Sequence, residues 1–283
     1  MSLKNKKILI IGLGLMGGSY AKALKKRGYT VNAITKDQDS VDYAKSIGII
    51  DYGTVSVEPE LVKKSDFIVF AVYPDVFVEW IEKYQQLFSP DTIITDVTGV
   101  KGCIVDKIQS MLRPDVEFVS AHPMAGRELY GVRHSDETVF QGANYIVVPT
   151  KKNTEKAIEI CKELGRELGF SNITELDADS HDKMIAFLSQ LTHCIAVSLM
   201  CSSDNTALRD YTGDSFRDLT RIASINDEMW SELFLLNREK LLEEMDLFKN
   251  SFNKLYDYLK NGDREGMREM MRCSTERRKK FTR

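Results

Sequence analysis

The sequence predicts an α/β fold: a Rossmann-like doubly wound, mainly parallel sheet followed by an all-helical domain. Three observations carry that prediction. Short β-branched runs alternate with amphipathic stretches through the first 176 residues, a glycine-rich turn follows the first run directly, and strand-like runs stop near residue 177. Continuous apolar strands separated by helices mean βαβ units and a sheet buried on both faces. A chain of 283 residues is long enough for two domains, placed at 1–176 and 177–283.

Strands are expected at 7–12, 30–35, 67–72, 92–96, 117–120 and 144–149, with 172–176 as one more at an edge. Helices are expected at 19–27, 39–47, 76–88, 102–112 and 154–168. Beyond residue 177, the stretch 181–200 is apolar on nearly all sides and reads as a helix buried inside an assembly. Leu241, Met245, Phe248, Phe252, Leu255 and Leu259 recur at intervals of 4, 3, 4, 3 and 4, a heptad-like stripe on a long helix. Asn261-Gly262 ends that helix, and Asp263 can cap a final basic one.

Composition narrows the function. Hydrophobic residues make up 43% and charged residues 29%, with 39 Lys plus Arg against 42 Asp plus Glu, a net charge of −3. No basic footprint for nucleic acid or for an anionic membrane follows from that balance. Consecutive apolar runs such as 67–72 fall far below the ~18 residues of a membrane span. The five cysteines (103, 161, 194, 201 and 273) include no CxxC pair, and the four histidines show no metal-ligand spacing. Reduced thiols, a cytoplasmic location and no metal are expected.

The segment Gly12-Leu-Gly14-Leu-Met16-Gly17-Gly18-Ser19 follows the first strand and opens a helix. Gly12 permits the tight turn, Gly14 lets backbone approach a pyrophosphate, and Gly17 allows close helix–strand packing at a helix N-terminus. Met16 and the strand-end Val72 complete the candidate contacts of a dinucleotide. At the end of the second strand, where an acidic residue usually meets the NAD ribose, stand Thr35 and Lys36, with Asp37 one turn later. A hydroxyl and a cation suit a 2′-phosphate and Asp37 suits NAD, so NAD and NADP both stay open.

Two further clusters carry chemistry. Ser120-Ala121-His122-Pro123-Met124-Ala125-Gly126-Arg127-Glu128 follows a parallel strand, and a loop histidine there suits a general base. Gly213-Asp214-Ser215-Phe216-Arg217-Asp218-Leu219-Thr220-Arg221 places two arginines four apart, a clamp for carboxylates or a surface ion network with Asp214 and Asp218. His193 lies in the apolar helix, where a lone histidine is more often a core residue than a ligand contact.

In unbroken order, GLGLMGGS, TDVTGVK (95–101), SAHPMAGRE, QLTHCIA (190–196), FRDLTRIA and the following MW…N resemble the prephenate dehydrogenase family of tyrosine biosynthesis. The resemblance runs from about residue 6 to 237. It implies oxidative decarboxylation of prephenate to 4-hydroxyphenylpyruvate with reduction of NAD(P)+. It further implies that His122 takes the proton of the ring hydroxyl, that Arg221 holds a substrate carboxylate, and that His193 sits by the pyruvyl side chain. Glu128 and Trp230 match positions lining or gating the pocket, and helical domains of the family pair into homodimers. Where relatives often carry a serine that orients the histidine, this chain has Gly99 with Thr98 beside it, so either Thr98 substitutes or the histidine is oriented differently. Asp214 could meet a substrate amine, which keeps arogenate open as substrate. Neither an N-terminal chorismate mutase segment nor a C-terminal ACT module is expected. A β-hydroxyacid-type oxidoreductase acting through Lys183 is the alternative enzyme, and a non-catalytic nucleotide sensor the alternative class.

Overall fold

The computed structural model describes residues 2–127, 129–204 and 207–281. Six strands form a parallel sheet: β1 (Ile8–Ile11), β2 (Val31–Ile34), β3 (Tyr52–Thr54), β4 (Phe67–Phe70), β5 (Ile93–Asp96) and β6 (Glu117–Phe118). Their order is β3-β2-β1-β4-β5-β6, so the chain reverses direction across the sheet between β1 and β4. Helices α1 (Leu15–Lys26), α2 (Gln38–Ser46), α3 (Pro59–Lys63), α4 (Pro74–Tyr84) and α5 (Val105–Met111) make the crossovers. Strands β1, β4 and β5 are buried along their whole length, as helices on both faces require. One cluster on each side of the sheet forms the core, with Ile8, Ile10, Phe67 and Val69 on one side and Leu9, Ile68, Phe70 and Ile94 on the other. This is the doubly wound fold expected, with ligands placed outside the strand carboxyl ends at the switch point.

The predicted strand 117–120 divides in two. Residues Glu117–Phe118 finish the parallel sheet, and β7 (Ser120–Pro123) opens a second sheet in the order β7-β8-β9. There it pairs antiparallel with β8 (Asn144–Val148), which pairs parallel with β9 (Asn172–Glu175) across the helix α6 (Glu155–Leu168). His122 therefore stands on a strand opposite Ile146 and not on a loop. Pro123 did not prevent this, because β7 is an edge strand and needs no second donor row.

Among the described residues, every regular element after Glu175 is helical. Helix α7 (Ala178–Ile185) continues through a π-helical turn, Ala186–Gln190, into α8 (Leu191–Cys201). Three shorter helices, α9 (Leu208–Tyr211), α10 (Asp214–Thr220) and α11 (Asp227–Leu236), lead to α12 (Arg238–Lys260) and α13 (Arg264–Lys279). Asp263 caps α13 by accepting from Gly266 N–H.

The continuous helix Ala178–Cys201 is long and apolar enough to cross a membrane, with mean hydropathy 1.7, although no unbroken apolar run reveals it. Only 28% of its apolar window is buried within the chain. Burial on nearly all sides is thus not met within one chain. Three of its buried residues are polar: His181, Asp182 and Gln190 are each at most 2% exposed, alongside buried Ile185, Ala186, Leu191 and Ala196. Gln190 donates to Leu233 O, and Asn237 donates to both Gln190 Oε1 and Asp182 O, which ties α7, α11 and α12 together.

Candidate active site

The glycine turn has the geometry its sequence demands. Gly12 has φ +97°, and a Cβ there would overlap Ala71 O and stand 2.8 Å from Val72 Cγ1, so the turn closes directly on the end of β4. A Cβ on Gly17 would overlap the carbonyl of Gly12, which is why α1 can start against the strand. Gly14, the N-cap of α1, faces the other way: a Cβ there would meet nothing within 4 Å. An open space above a helix N-terminus at the switch point fits a dinucleotide pyrophosphate. Met16 packs against the core beside this turn.

Two strands along the sheet, a buried polar cluster supports β7. Asp96 ends β5 and accepts from Ser120 Oγ (2.6 Å) and from Ala121 N–H (3.1 Å) through one oxygen. Its other oxygen accepts from Thr98 N–H, Thr98 Oγ1 and Lys101 Nζ. The Asp96–Lys101 pair is 2.7 Å apart with both side chains fully buried. The Lys101 ammonium also donates to Ala121 O at 2.7 Å and to Thr98 Oγ1 at 3.1 Å, so its three protons have three acceptors. Burial lowers the Lys101 pKa, opposed by Asp96.

Next to that cluster, half-buried His122 bonds through Nδ1 to Nε2 of His181, at 2.9 Å. His181 bonds through Nδ1 to Asp182 Oδ1, at 2.8 Å. Burial first, then His181 and Lys101, hold His122 well below the usual histidine pKa. The imidazole is therefore neutral near pH 7, as a proton acceptor must be. Its Nε2 side faces Gly99: a Cβ on Gly99 would lie 4.0 Å from His122 Nε2 and 3.8 Å from Leu233 of α11. On α8, His193 donates Nδ1–H to Ser189 O and stacks on Trp230 of α11 with ring centroids 3.7 Å apart.

Residues 20–173 match the prephenate dehydrogenase nucleotide-binding domain, and residues 177–273 match the prephenate dehydrogenase dimerization domain. The chain belongs to the prephenate dehydrogenase family. Prephenate dehydrogenase of Lactococcus lactis is 34% identical over 88% of this chain and 70% of its own length. Cyclohexadienyl dehydrogenase of Zymomonas mobilis is 28% identical over 96% of this chain and 95% of its own. The crystal structure of prephenate dehydrogenase from A. aeolicus, in complex with hydroxyphenyl propionate and NAD+, covers 100% of both chains at TM-score 0.90 and 29% identity. Membership makes this chain an oxidoreductase of the prephenate dehydrogenase type that binds NAD(P).

Within the prephenate dehydrogenase frame, the residues singled out from sequence fall in different parts of the fold. His122, His193 and Trp230 lie on β7, α8 and α11, and the last two are in contact. Arg221 begins the 3-10 turn Arg221–Ala223, which packs against α8; it does not continue the helix of Arg217. Arg217 instead pairs with Asp214 at 3.4 Å and donates to Thr212 O, while the Asp214 side chain is 94% exposed. Thr98 is committed to Asp96, Val100 O and Lys101, and the contact that orients His122 is His181. Glu128 lies outside the described residues. At the cofactor end, Thr35 N–H donates to Thr54 O and Lys36 is exposed. The Asp37 carboxylate caps α2, accepting from Ser40 N–H at 2.9 Å.

Sequence reasoning missed Lys101, His181 and Asp182. A signal was present for the last two, since they are an ionisable pair opening an otherwise apolar helix. Among the described residues no group of three or more His, Cys, Asp or Glu side chains could hold a metal ion.

Proposed function

We propose that the protein is a prephenate dehydrogenase that oxidatively decarboxylates prephenate to 4-hydroxyphenylpyruvate. The observation that carries this reading is the neutral, half-buried His122, held at Nδ1 by His181 with its Nε2 beside Gly99. It stands past the carboxyl end of β5 in a dinucleotide fold. Bound NAD(P)+ supplies the hydride acceptor. His122 Nε2 accepts the hydroxyl proton as the carbinol carbon is oxidised, and returns it to the phenolate oxygen once the ring carboxylate has left as CO2. Arg221 holds a substrate carboxylate by charge-assisted hydrogen bonds. His193, fixed by Ser189 O and Trp230, lines the side-chain end of the pocket. Asp214, exposed and paired with Arg217, does not favour a substrate amine, so prephenate is preferred to arogenate. The test follows reduced cofactor by absorbance with each substrate in turn. Absence of turnover with both rejects the reading, and faster turnover of arogenate reverses the substrate preference.

We propose further that residues 1–176 bind the cofactor through Gly12, Gly14, Met16, Gly17, Thr35, Lys36 and Val72, and that NADP+ is accepted at least as well as NAD+. The Asp37 carboxylate is engaged in capping α2, whereas Thr35 and exposed Lys36 present a hydroxyl and a cation at the strand end. Arg133, stacked 4.5 Å over Tyr43 of α2, adds a second cation near Asp37. Lys36→Ala is expected to raise KM for NADP+ by about tenfold, the loss of one exposed charge-assisted hydrogen bond. KM for NAD+ should stay within a factor of about two by the same argument. Equal changes for the two cofactors would remove Lys36 from the 2′-phosphate site.

The helical residues 177–283 complete a homodimer in this reading. Met245, Phe248, Phe252 and Leu259 of the heptad stripe are 37%, 39%, 59% and 68% exposed in the single chain, as are Phe187 and Leu188 on the apolar helix at 52% each. Apolar surface of this extent on neighbouring helices marks an interface. Phe252→Asp is expected to convert the dimer to a monomer by light scattering at micromolar concentration. A dimer of unchanged stability would place the interface elsewhere. All five cysteines are free thiols, which supports a cytoplasmic location.

A further inference from the structure

The bond between His122 and His181 settles more than orientation, because hydrogen-bond donors and acceptors must alternate along a chain of imidazoles. At its far end is a carboxylate, which only accepts. Asp182 is 2% exposed, and it is fixed independently of the histidines: Oδ1 accepts from Lys101 N–H at 2.8 Å and Oδ2 from Gly102 N–H at 2.7 Å. His181 Nδ1, 2.8 Å from Asp182 Oδ1, must therefore carry a proton. His181 is fully buried, and burial lowers its pKa despite the opposing bond to Asp182, so the ring is neutral and its Nε2 is a lone pair. Only a donor can sit 2.9 Å from that lone pair, so His122 Nδ1 carries its proton and His122 Nε2 does not.

The surroundings reinforce this arrangement. Around the pair, the ionisable groups are Asp96 and Lys101, which neutralise one another, together with Asp182 and the Cys103 thiol, which burial pushes up to about 11. On the Nε2 side, α11 contributes apolar Leu233, and Gly99 contributes no side chain that could hold the ring. Among the described residues, the hydrogen bond that selects the His122 tautomer is therefore the one at Nδ1.

We propose that His181 and Asp182 are positioning residues that hold His122 in its Nδ1–H tautomer and so make Nε2 the base. This rests on the reading of His122 as the proton acceptor. When His122 has taken the substrate proton, its Nδ1–H still donates to His181, and the His181–Asp182 bond turns the negative carboxylate toward the new positive charge. Asp182 itself takes no proton in this scheme; it orients and stabilises, as the buried carboxylate does in the Ser-His-Asp arrangement.

The primary test is spectroscopic, with a variant used only for assignment. Long-range 1H–15N correlation spectra of the wild-type chain, labelled at histidine, distinguish the two tautomers of each ring, and the His122→Asn spectrum identifies the His122 signals. Both His122 and His181 are expected as Nδ1–H tautomers, and an Nε2–H signal for His122 overturns the proposal. In kinetics, His181→Phe removes the acceptor and is expected to lower kcat about tenfold to 100-fold with KM for prephenate within about threefold, while His181→Gln, which keeps an amide oxygen for His122 Nδ1–H, recovers most of that loss. His181→Phe should also move His122 to its Nε2–H form. Folded His181→Phe with kcat within twofold of wild type overturns the proposal too. If His122→Asn itself turns over like wild type, the base assignment fails instead, and the tautomer spectra still report on the hydrogen-bond chain.

Discussion

His122→Asn is expected to lower kcat by about 10²-fold or more, the usual weight of a positioned general base, while leaving KM for prephenate within a few-fold. Asparagine can keep a donor toward His181 but offers no basic nitrogen at the Nε2 position. With His122 as the proposed base, the same residue is expected to set the pH profile. The base must be unprotonated, and burial with the neighbouring His181 and Lys101 holds its pKa well below the ordinary value. The acid limb of kcat/KM should thus lie below the ordinary histidine pKa of about 6.5, with full activity at and above it. Stability follows the same sign. Below about pH 6.5 the unfolded chain binds a proton at this histidine that the folded chain does not, so stability falls as pH drops. An acid limb at or above pH 6.5 would mean that His122 is not the group being titrated.

Lys101→Met is expected to cost about 3–5 kcal/mol, because it leaves the Asp96 carboxylate buried without its cation. The lower end fits best. Asp96 keeps four other donors, from Ser120 Oγ, Ala121 N–H, Thr98 N–H and Thr98 Oγ1. Ala121 O also loses its partner. At roughly 2–4 °C per kcal/mol, the melting temperature should drop by about 10 °C, read by calorimetry. The variant should also move the acid limb of kcat/KM upward, since the Lys101 charge is one of the three causes depressing His122. A change in melting temperature of less than about 2 °C would show that the pair contributes no more than a surface ion pair.

Much of the fold was legible because strand and helix periods are local. The strands at 8–11, 31–34, 67–70, 93–96, 144–148 and 172–175 lie within the predicted segments, as does the Asp263 cap. Strand β3, three residues at the sheet edge with one fully buried, carries too little pattern to be seen. The break between β6 and β7 was hidden for a different reason. Residues 117–123 read as one strand running into a loop, and only pairing with β8, more than twenty residues on, reveals a second sheet. Asp37 shows the same limit: its spacing suits a ribose contact, but the side chain caps α2.

Local patterns by themselves determined the doubly wound sheet, the glycine turn and the helical second half, and they singled out His122 and Arg221, whose proposed roles rest on the family resemblance. Glycine spacing, β-branched runs and short motifs act over a few residues, and the physics they encode is local. Tertiary structure alone decided how His122 is held. His181 is 59 residues away from it, and Asp182 reaches back 81 residues to the amide of Lys101. Which donor meets which acceptor depends on how α7 docks against β7 and the turn that follows β5. That docking is set by packing and buried hydrogen bonds summed over the whole chain, so no spacing within the sequence could report it.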